Sequence, residues 1–159
     1  MKIIQLTQGQ VTLVSDEDFE RVSQHKWYAN YHKSIKGFYA ESRINNKIVR
    51  LHRFIMKVTD PKIEVDHKFG NTLDNRRANL RVCTHTQNNT NKPKRAGFTS
   101  QYKGVSFCKR TKKWVSQIHV NYHTIFLGRF AIEHQAASAY NQAAIKYQGE
   151  FAVLNSIAP

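Results

Sequence analysis

Cysteine is nearly absent: Cys83 and Cys108 are the only two in 159 residues. That excludes a disulfide-stapled scaffold, and no Cys-x-x-Cys pair is there to hold a structural zinc. Long apolar runs are missing as well. No stretch approaches the ~18 apolar residues of a membrane helix. The opening MKIIQLTQGQ lacks the apolar run and small-residue cleavage site of a secretory signal. An intracellular, reducing setting is therefore expected, without secretion. Acidic residues are scarce too, with 11 Asp+Glu against 25 Lys+Arg and a formal net charge of +14. Between Asp74 and Glu133 they vanish, and the 58 residues from 75 to 132 carry twelve Lys or Arg. Such a tract suits an acidic partner. Composition alone leaves nucleic acid, anionic membrane and heparin-like polymers open. What is present is a core: 40% hydrophobic and 11% aromatic residues exclude wholesale disorder. The length admits one ordinary domain or two small ones.

The spacing of apolar residues predicts many short strands and few helices. Residues 3–6 and 11–14 flank Gly9 as a hairpin. Ser15 stands three residues before Asp18 in a capping-box-like start for a helix of about ten residues. Strands are expected at 27–31, 38–43 and 47–51, with turns at Gly37 and Asn45-Asn46. A short helix follows over 51–56. A strand at 63–65 leads into Asp66-His67 and an Asn-rich loop. Helical patches are expected at 76–80 and 85–91, separated by Arg81-Val82-Cys83. Asn71 and Asn75 read as turn residues bonding their own backbone, and Cys83 as a small core residue. KPKRAGFTSQ, residues 92–101, is the expected basic linker. Three strands follow at 105–108, 114–120 and 124–130. Ala136, Ala137, Tyr140, Ala143, Ala144 and Tyr147 then predict an amphipathic helix whose small inner face lies close on a sheet.

Asp66-His67, with Asn79 twelve and Asn88 twenty-one residues on, is a set suited to phosphodiester hydrolysis. A histidine can take a proton from water near neutral pH, and carboxylate and amide oxygens are hard ligands for a divalent cation. His52-Arg53, Val65-Asp66-His67, Gly70-Asn71, Asn75-Arg76-Arg77, Asn79-Leu80-Arg81 and Gln87-Asn88-Asn89 together resemble the HNH endonuclease family. The resemblance covers residues 50–91 and implies a β-β-α-metal core using Mg²⁺ or Mn²⁺. It implies that His67 is the general base, that Asn79 orients its ring, and that Asp66 and Asn88 hold the metal. Asn88 stands where many members carry a last histidine, and His85 is an alternative. His52 and Arg53 match a segment upstream of the core and read as a packed or phosphate-facing pair. Arg76, Arg77 and Arg81 are expected to contact the DNA backbone.

Tyr102-Lys103-Gly104-Val105, Trp114-Val115, Leu127-Gly128-Arg129-Phe130 and the alanine-rich segment from Glu133 resemble the Apetala-type (ethylene-response-factor) DNA-binding domain. Coverage is 102–155. The resemblance implies a three-stranded antiparallel sheet on one helix, with the sheet entering a major groove ~12 Å wide. Its contact positions fall on Lys103, Ser106, Cys108, Arg110, Gln117, His119, Thr124 and Phe126. Ser106, Cys108, His119 and Phe126 depart from the plant pattern, so the plant recognition sequence does not carry over. Lys112 and Lys113 add charge to the turn, and Trp114 is expected in the core.

The sequence thus reads as an α+β chain in three parts: a β-rich segment with an HNH core (1–91, core 50–91), a basic linker (92–101) and a sheet-type DNA-binding domain (102–159). The expected function is metal-dependent cleavage of double-stranded DNA by a homing-type endonuclease, as in phages and mobile introns. The setting would be a bacterial or phage-infected host cytoplasm, with no membrane and no obligate protein partner evident; a monomer would nick one strand, and a break in both would need a second copy or a second event. Arg53, Arg76, Arg77, Arg81, Lys103, Ser106, Arg110, Lys112, Lys113, Gln117, His119, Thr124 and Phe126 form the expected DNA contact set. A non-catalytic DNA-binding regulator with a decayed HNH scaffold is the alternative.

Overall fold

The computed structural model describes residues 1–90 and 97–157. The expected linker therefore lies outside the described residues as far as residue 96. The chain divides into two compact units, Met1–His85 and Thr86–Pro159, earlier than the expected boundary at 91.

The first unit opens with the hairpin β1 (Lys2–Gln5) and β2 (Val11–Val14), Lys2 opposite Val14. Helix α1 (Asp16–Ser23) follows. Strands β3 (Tyr28–His32), β4 (Gly37–Ile44) and β5 (Lys47–Arg50) form an antiparallel meander. Asn45 and Asn46 turn its second corner at φ 48° and 60°, the left-handed pair that matches strand twist in a two-residue hairpin. Helix α2 (Leu51–Ile55) leads to β6 (Glu64–His67), β7 (Asp74–Asn75) and β8 (Leu80–Cys83). Strands β6 and β8 pair antiparallel, setting Asp66 opposite Arg81 and His67 opposite Leu80. Strand β7 joins the first hairpin instead, parallel to β2, with Val14 opposite Asn75. These small sheets share one core of Val14, Val22, Trp27, Ala40, Leu51, Ile55, Val65 and Leu80. Trp27 stays satisfied inside it by donating to the Val22 carbonyl at 2.9 Å.

Two local expectations fail, both because of arginines that find distant acids. The Ser15–Asp18 capping box does not form. The Ser15 hydroxyl accepts the Arg77 backbone N–H at 3.0 Å, and Asp18 accepts from Arg77 Nε at 2.7 Å and Arg21 Nη2 at 2.9 Å. The patch at 76–80 is a turn rather than a helix: Asn79 N–H bonds the Arg76 carbonyl at 2.9 Å, and the chain then extends as β8.

Helix α3 (His85–Thr90) spans the division between the units. In the second unit β9 (Val105–Cys108), β10 (Lys113–Val120) and β11 (His123–Phe130) form an antiparallel sheet in the order β11-β10-β9. Helix α4 (Glu133–Gln148) packs on it through Ala136, Ala137, Tyr140, Ala143 and Ala144. From the sheet come Val105, Trp114, Ile118, Ile125, Leu127 and Phe130. Small residues on α4 let helix and sheet approach closely, and Gly104 marks how closely. At φ +74°, an added Cβ would overlap the Tyr140 ring and lie 2.7 Å from the Gln117 carbonyl.

Two stability outcomes follow from this packing. Gly104→Ala combines left-handed strain with overpacking and is expected to cost about 2–4 kcal/mol, read as a lowered denaturation midpoint with unchanged far-UV dichroism. For Asp18, burial raises the carboxyl pKa, but the bonds from Arg77 and Arg21 outweigh it and leave the group below its ordinary value. Its stabilisation is therefore complete above the unfolded pKa of ~3.9 and lost as pH falls through the lower folded value. Asp18→Asn is expected to cost about 2–3 kcal/mol at pH 7 and to flatten acid denaturation below pH ~4, both measured by urea melts across pH.

Candidate active site

His67 ends β6 and is buried, 5% exposed. Its Nε2 lies 3.2 Å from Asn75 Oδ1. Asn75, 0% exposed, donates its amide nitrogen to Thr12 Oγ1 at 2.8 Å and to the Thr72 carbonyl at 3.3 Å. A carbonyl can only accept, so the Asn75 nitrogen must face that way and its oxygen must face the ring. His67 Nε2 is then the protonated nitrogen, and Nδ1 carries the lone pair. Burial lowers the His67 pKa, opposed by the Asn75 bond and by the negative charges of Asp66 and Asp74. The net direction is down, so the ring is neutral at pH 7, in the form that accepts a proton.

Two further rings enclose it. His52 on α2 stands edge-on to His67, centroids 5.0 Å apart at 76°. Tyr39 on β4 lies 5.3 Å from His52 and 6.3 Å from His67. Burial holds the His52 pKa well below its ordinary value, reinforced by the adjacent His67 ring and by the cationic Arg50 and Arg53. His52 is thus a neutral wall of the site, and its packed reading holds. Nothing in the sequence pointed to Tyr39, which is brought in by β4.

Asn79 does not touch His67. Its Oδ1 accepts the Phe69 N–H at 3.0 Å, and its amide nitrogen donates to the Asp74 carbonyl at 2.7 Å. It acts on the 68–74 loop, because from the start of β8 the nearest acceptors are that loop's carbonyls. The residue that bonds the ring is Asn75, which the sequence suggested bonds only its own turn. Asn71 does behave that way, accepting the Leu73 N–H at 3.0 Å.

Asp66 lies on the strand neighbour of Arg81, and its Oδ2 accepts Arg81 Nε at 3.0 Å and Nη2 at 2.8 Å. The donor set here is hard. Burial, with the negative charge of Asp66 and Glu64, pushes the Cys83 thiol up to about 11, so it offers no thiolate at neutral pH. Among the described residues no group of three or more His, Cys, Asp or Glu gathers as a metal cage. A hard carboxylate such as Asp66 suits a hard divalent cation rather than the thiolate set of structural zinc. Asn88 lies on α3 beyond the division and belongs to the second unit. His85 Nδ1 pairs with Glu64 Oε1 at 2.7 Å.

The four arginines of the first unit expected on DNA are engaged internally. Arg53 donates to the carbonyls of Ile63 at 2.6 Å and Asp60 at 2.7 Å. Arg76 forks onto Asp74 at 2.7 and 2.6 Å, Arg77 pairs with Asp18, and Arg81, 8% exposed, pairs with Asp66. Each is tied to a partner within the first unit. Arg81 departs furthest from the expectation, because β8 turns it inward onto Asp66.

In the second unit, alternation along the sheet sets one row against α4 and the other on the opposite face. Ser106, Gln117, His119, Thr124 and Phe126 fall in that other row. His119 pairs with Thr124, side chains 2.8 Å apart, and Gln117 pairs with Phe126. The Arg129 guanidinium lies 5.2 Å over the Phe126 ring, and Phe126 is 54% exposed. Arg110 and Lys112 occupy the β9–β10 turn, and Lys113 opens β10. Lys103 departs from the set: it is half-buried, donates Nζ to the Thr90 carbonyl at 2.5 Å, and has its pKa lowered by burial. Trp114 lies on the core side, against α4.

The HNH endonuclease family profile matches residues 50–90, the span from β5 through α3. Over 154 residues the chain is 34% identical to an HNH endonuclease of Acanthamoeba polyphaga mimivirus, covering 94% of this chain and 76% of that one. Over 57 residues it is 46% identical to an APETALA2-like protein 2 of rice, covering 36% of this chain and 13% of the plant protein. An AP2-like ethylene-responsive transcription factor of Arabidopsis thaliana matches at 42% over 59 residues, 37% of this chain and 12% of that one. The chain thus spans only about an eighth of the plant relatives, and those matches speak for one segment. The viral relative matches almost end to end, and the buried histidine falls within the span of the family profile. The chain belongs to the HNH endonuclease family.

Proposed function

We propose that this endonuclease is metal-dependent and of homing type, holding duplex DNA on the β9–β10–β11 sheet and hydrolysing a phosphodiester bond at His67. The observation that carries the reading is the His67–Asn75–Thr12 chain of hydrogen bonds. It fixes a neutral ring with its Nδ1 lone pair as the proton acceptor, the requirement for activating water at neutral pH. Asn75 Oδ1 stabilises the positive ring once the proton has been taken. Asp66 would supply a carboxylate to the cation. A divalent ion held there supplies polarisation of the scissile phosphate and stabilisation of the leaving 3′ oxygen. Arg81 holds the Asp66 carboxylate in one orientation. The homing-type reading is supported by the order of parts, a cutting segment followed by a segment like a plant DNA-binding domain. The row Ser106, Gln117, His119, Thr124 and Phe126 supplies polar and apolar groups for base edges, and Arg110, Lys112 and Lys113 supply phosphate contacts.

Supercoiled plasmid incubated with the protein and Mg²⁺ or Mn²⁺ is expected to become open-circular, with EDTA preventing the change. His67→Ala is expected to lower the rate by about 10²–10⁴-fold while filter binding of the plasmid stays within about twofold, since a buried neutral ring adds no charge to phosphate binding. Asn75→Ala frees the ring and is expected to lose a large part of the same factor with binding retained. Tight binding without nicking under either metal would leave a DNA-binding protein and sink the nuclease reading. For the sheet, Lys112→Ala with Lys113→Ala is expected to reduce the log–log salt slope of DNA binding by up to ~0.9 per lost phosphate contact. An unchanged slope would place the β9–β10 turn away from DNA.

A further inference from the structure

The turn that leaves β6 directly after His67 carries Lys68, Phe69 and Gly70. Phe69 is 79% exposed, more than any other large apolar side chain of the first unit. Single exposed apolar residues are common on mobile surfaces, but this one sits on a fixed mount. The Lys68 N–H donates to the Asn79 carbonyl at 2.8 Å, Phe69 N–H to Asn79 Oδ1 at 3.0 Å, and Gly70 N–H to the His67 carbonyl at 2.9 Å. Asn79 is itself 1% exposed and bonded to the Asp74 carbonyl. Further along the same loop, Thr72 Oγ1 donates to the Phe38 carbonyl of β4 at 2.6 Å. A buried asparagine therefore spends its side chain on holding up a ring that points at solvent.

Two residues of extended chain separate Cα atoms by no more than ~7 Å, and one DNA strand rises ~3.4 Å per nucleotide. Adding the reach of the two side chains, the Phe69 ring meets sugars and base steps within a few nucleotides of the phosphate being cut. Phosphates take charged and polar donors, so a phenyl ring gains nothing from them. The apolar surfaces available there are sugar edges and stacked base faces. Rigidly presented apolar side chains entering a base step unstack it and kink the duplex.

The geometry points to Phe69 as a wedge that enters the base stack of duplex DNA beside the cutting site and opens one step. The placement beside the cut rests on His67 as the catalytic base; the insertion itself does not. Opening the step would draw the scissile phosphate out of its regular position and towards the buried His67 Nδ1.

Insertion unwinds DNA, which a topological assay reads without cleavage. Closed circular plasmid is relaxed by a metal-independent type I topoisomerase in EDTA, with wild-type protein, Phe69→Ala or Phe69→Trp present. It is then deproteinised and resolved as topoisomers. Occupancy is matched by filter binding to the same plasmid, and thermal melts check folding, which an exposed side chain should leave unchanged. Wild type is expected to lower the mean linking number in proportion to bound protein, Phe69→Trp to keep that shift, and Phe69→Ala to lose it at equal occupancy. The same shift from Phe69→Ala, or none from wild type, including failure to bind the plasmid, overturns the wedge. Nicking in Mg²⁺ is scored separately. A Phe69-dependent shift without nicking keeps the wedge and removes the nuclease reading, whereas nicking without a shift does the reverse.

Discussion

The buried bonds that converge on Asn75 are the interaction on which the first unit turns. This amide joins three parts of the chain: Thr12 on β2, the carbonyl of Thr72 in the loop, and the His67 ring at the end of β6. The parallel pairing of β2 with β7 accompanies it, with Leu13 N–H on the Leu73 carbonyl at 3.0 Å and Thr12 Oγ1 donating to the same carbonyl at 2.7 Å. Buried polar networks rigidify when every member is satisfied and are costly when one is not. The N-terminal hairpin is therefore part of the frame that sets the histidine's tautomer, and not an appended arm.

Charge follows the same logic. The long acid-free tract looks in sequence like an unbroken cationic face. In the first unit its arginines are met by acids from before the tract: Arg76 by Asp74, Arg77 by Asp18 and Arg81 by Asp66. Three upstream carboxylates turn what reads as phosphate-seeking charge into struts for the loop around His67. In the second unit the cations of the β9–β10 turn follow a different pattern. Arg110, Lys112 and Lys113 lie on a tight corner, Lys112 at φ 51°, where they can meet a polyanion without dismantling an internal pair. The expectation of a polyanion partner survives, but its weight moves from the arginines at 76–81 towards the lysines and arginine at 110–113.

Much of the architecture was legible because its signals are local. Alternation and Gly or Asn-Asn corners marked the hairpin, the meander and the later sheet, and the alanine spacing marked α4 together with its close approach. His67 stood beside Asp66 in a motif whose spacing is fixed by the β6–β8 hairpin. Errors arose where a side chain's partner is far along the chain. Ser15 and Asp18 formed no capping box because Arg77, about sixty residues on, takes both. The 76–80 patch did not form a helix while Asp74 and Asp18 held its arginines. Asn79 and Asn75 exchanged parts for a similar reason, since turn propensity is a local property and the acceptor on Thr12 is not.

The sequence by itself determined the class: short strands and few helices, a hard-ligand histidine motif and a basic sheet module, all written in residue type and short-range spacing. Only the tertiary structure decided which nitrogen of His67 meets Asn75, that Tyr39 and His52 wall the ring in, and that Phe69 stands out on a braced turn. Those outcomes depend on the directions of buried hydrogen bonds. A buried donor or acceptor must be satisfied by whichever group the fold brings within ~3 Å, and sequence distance carries no information about that.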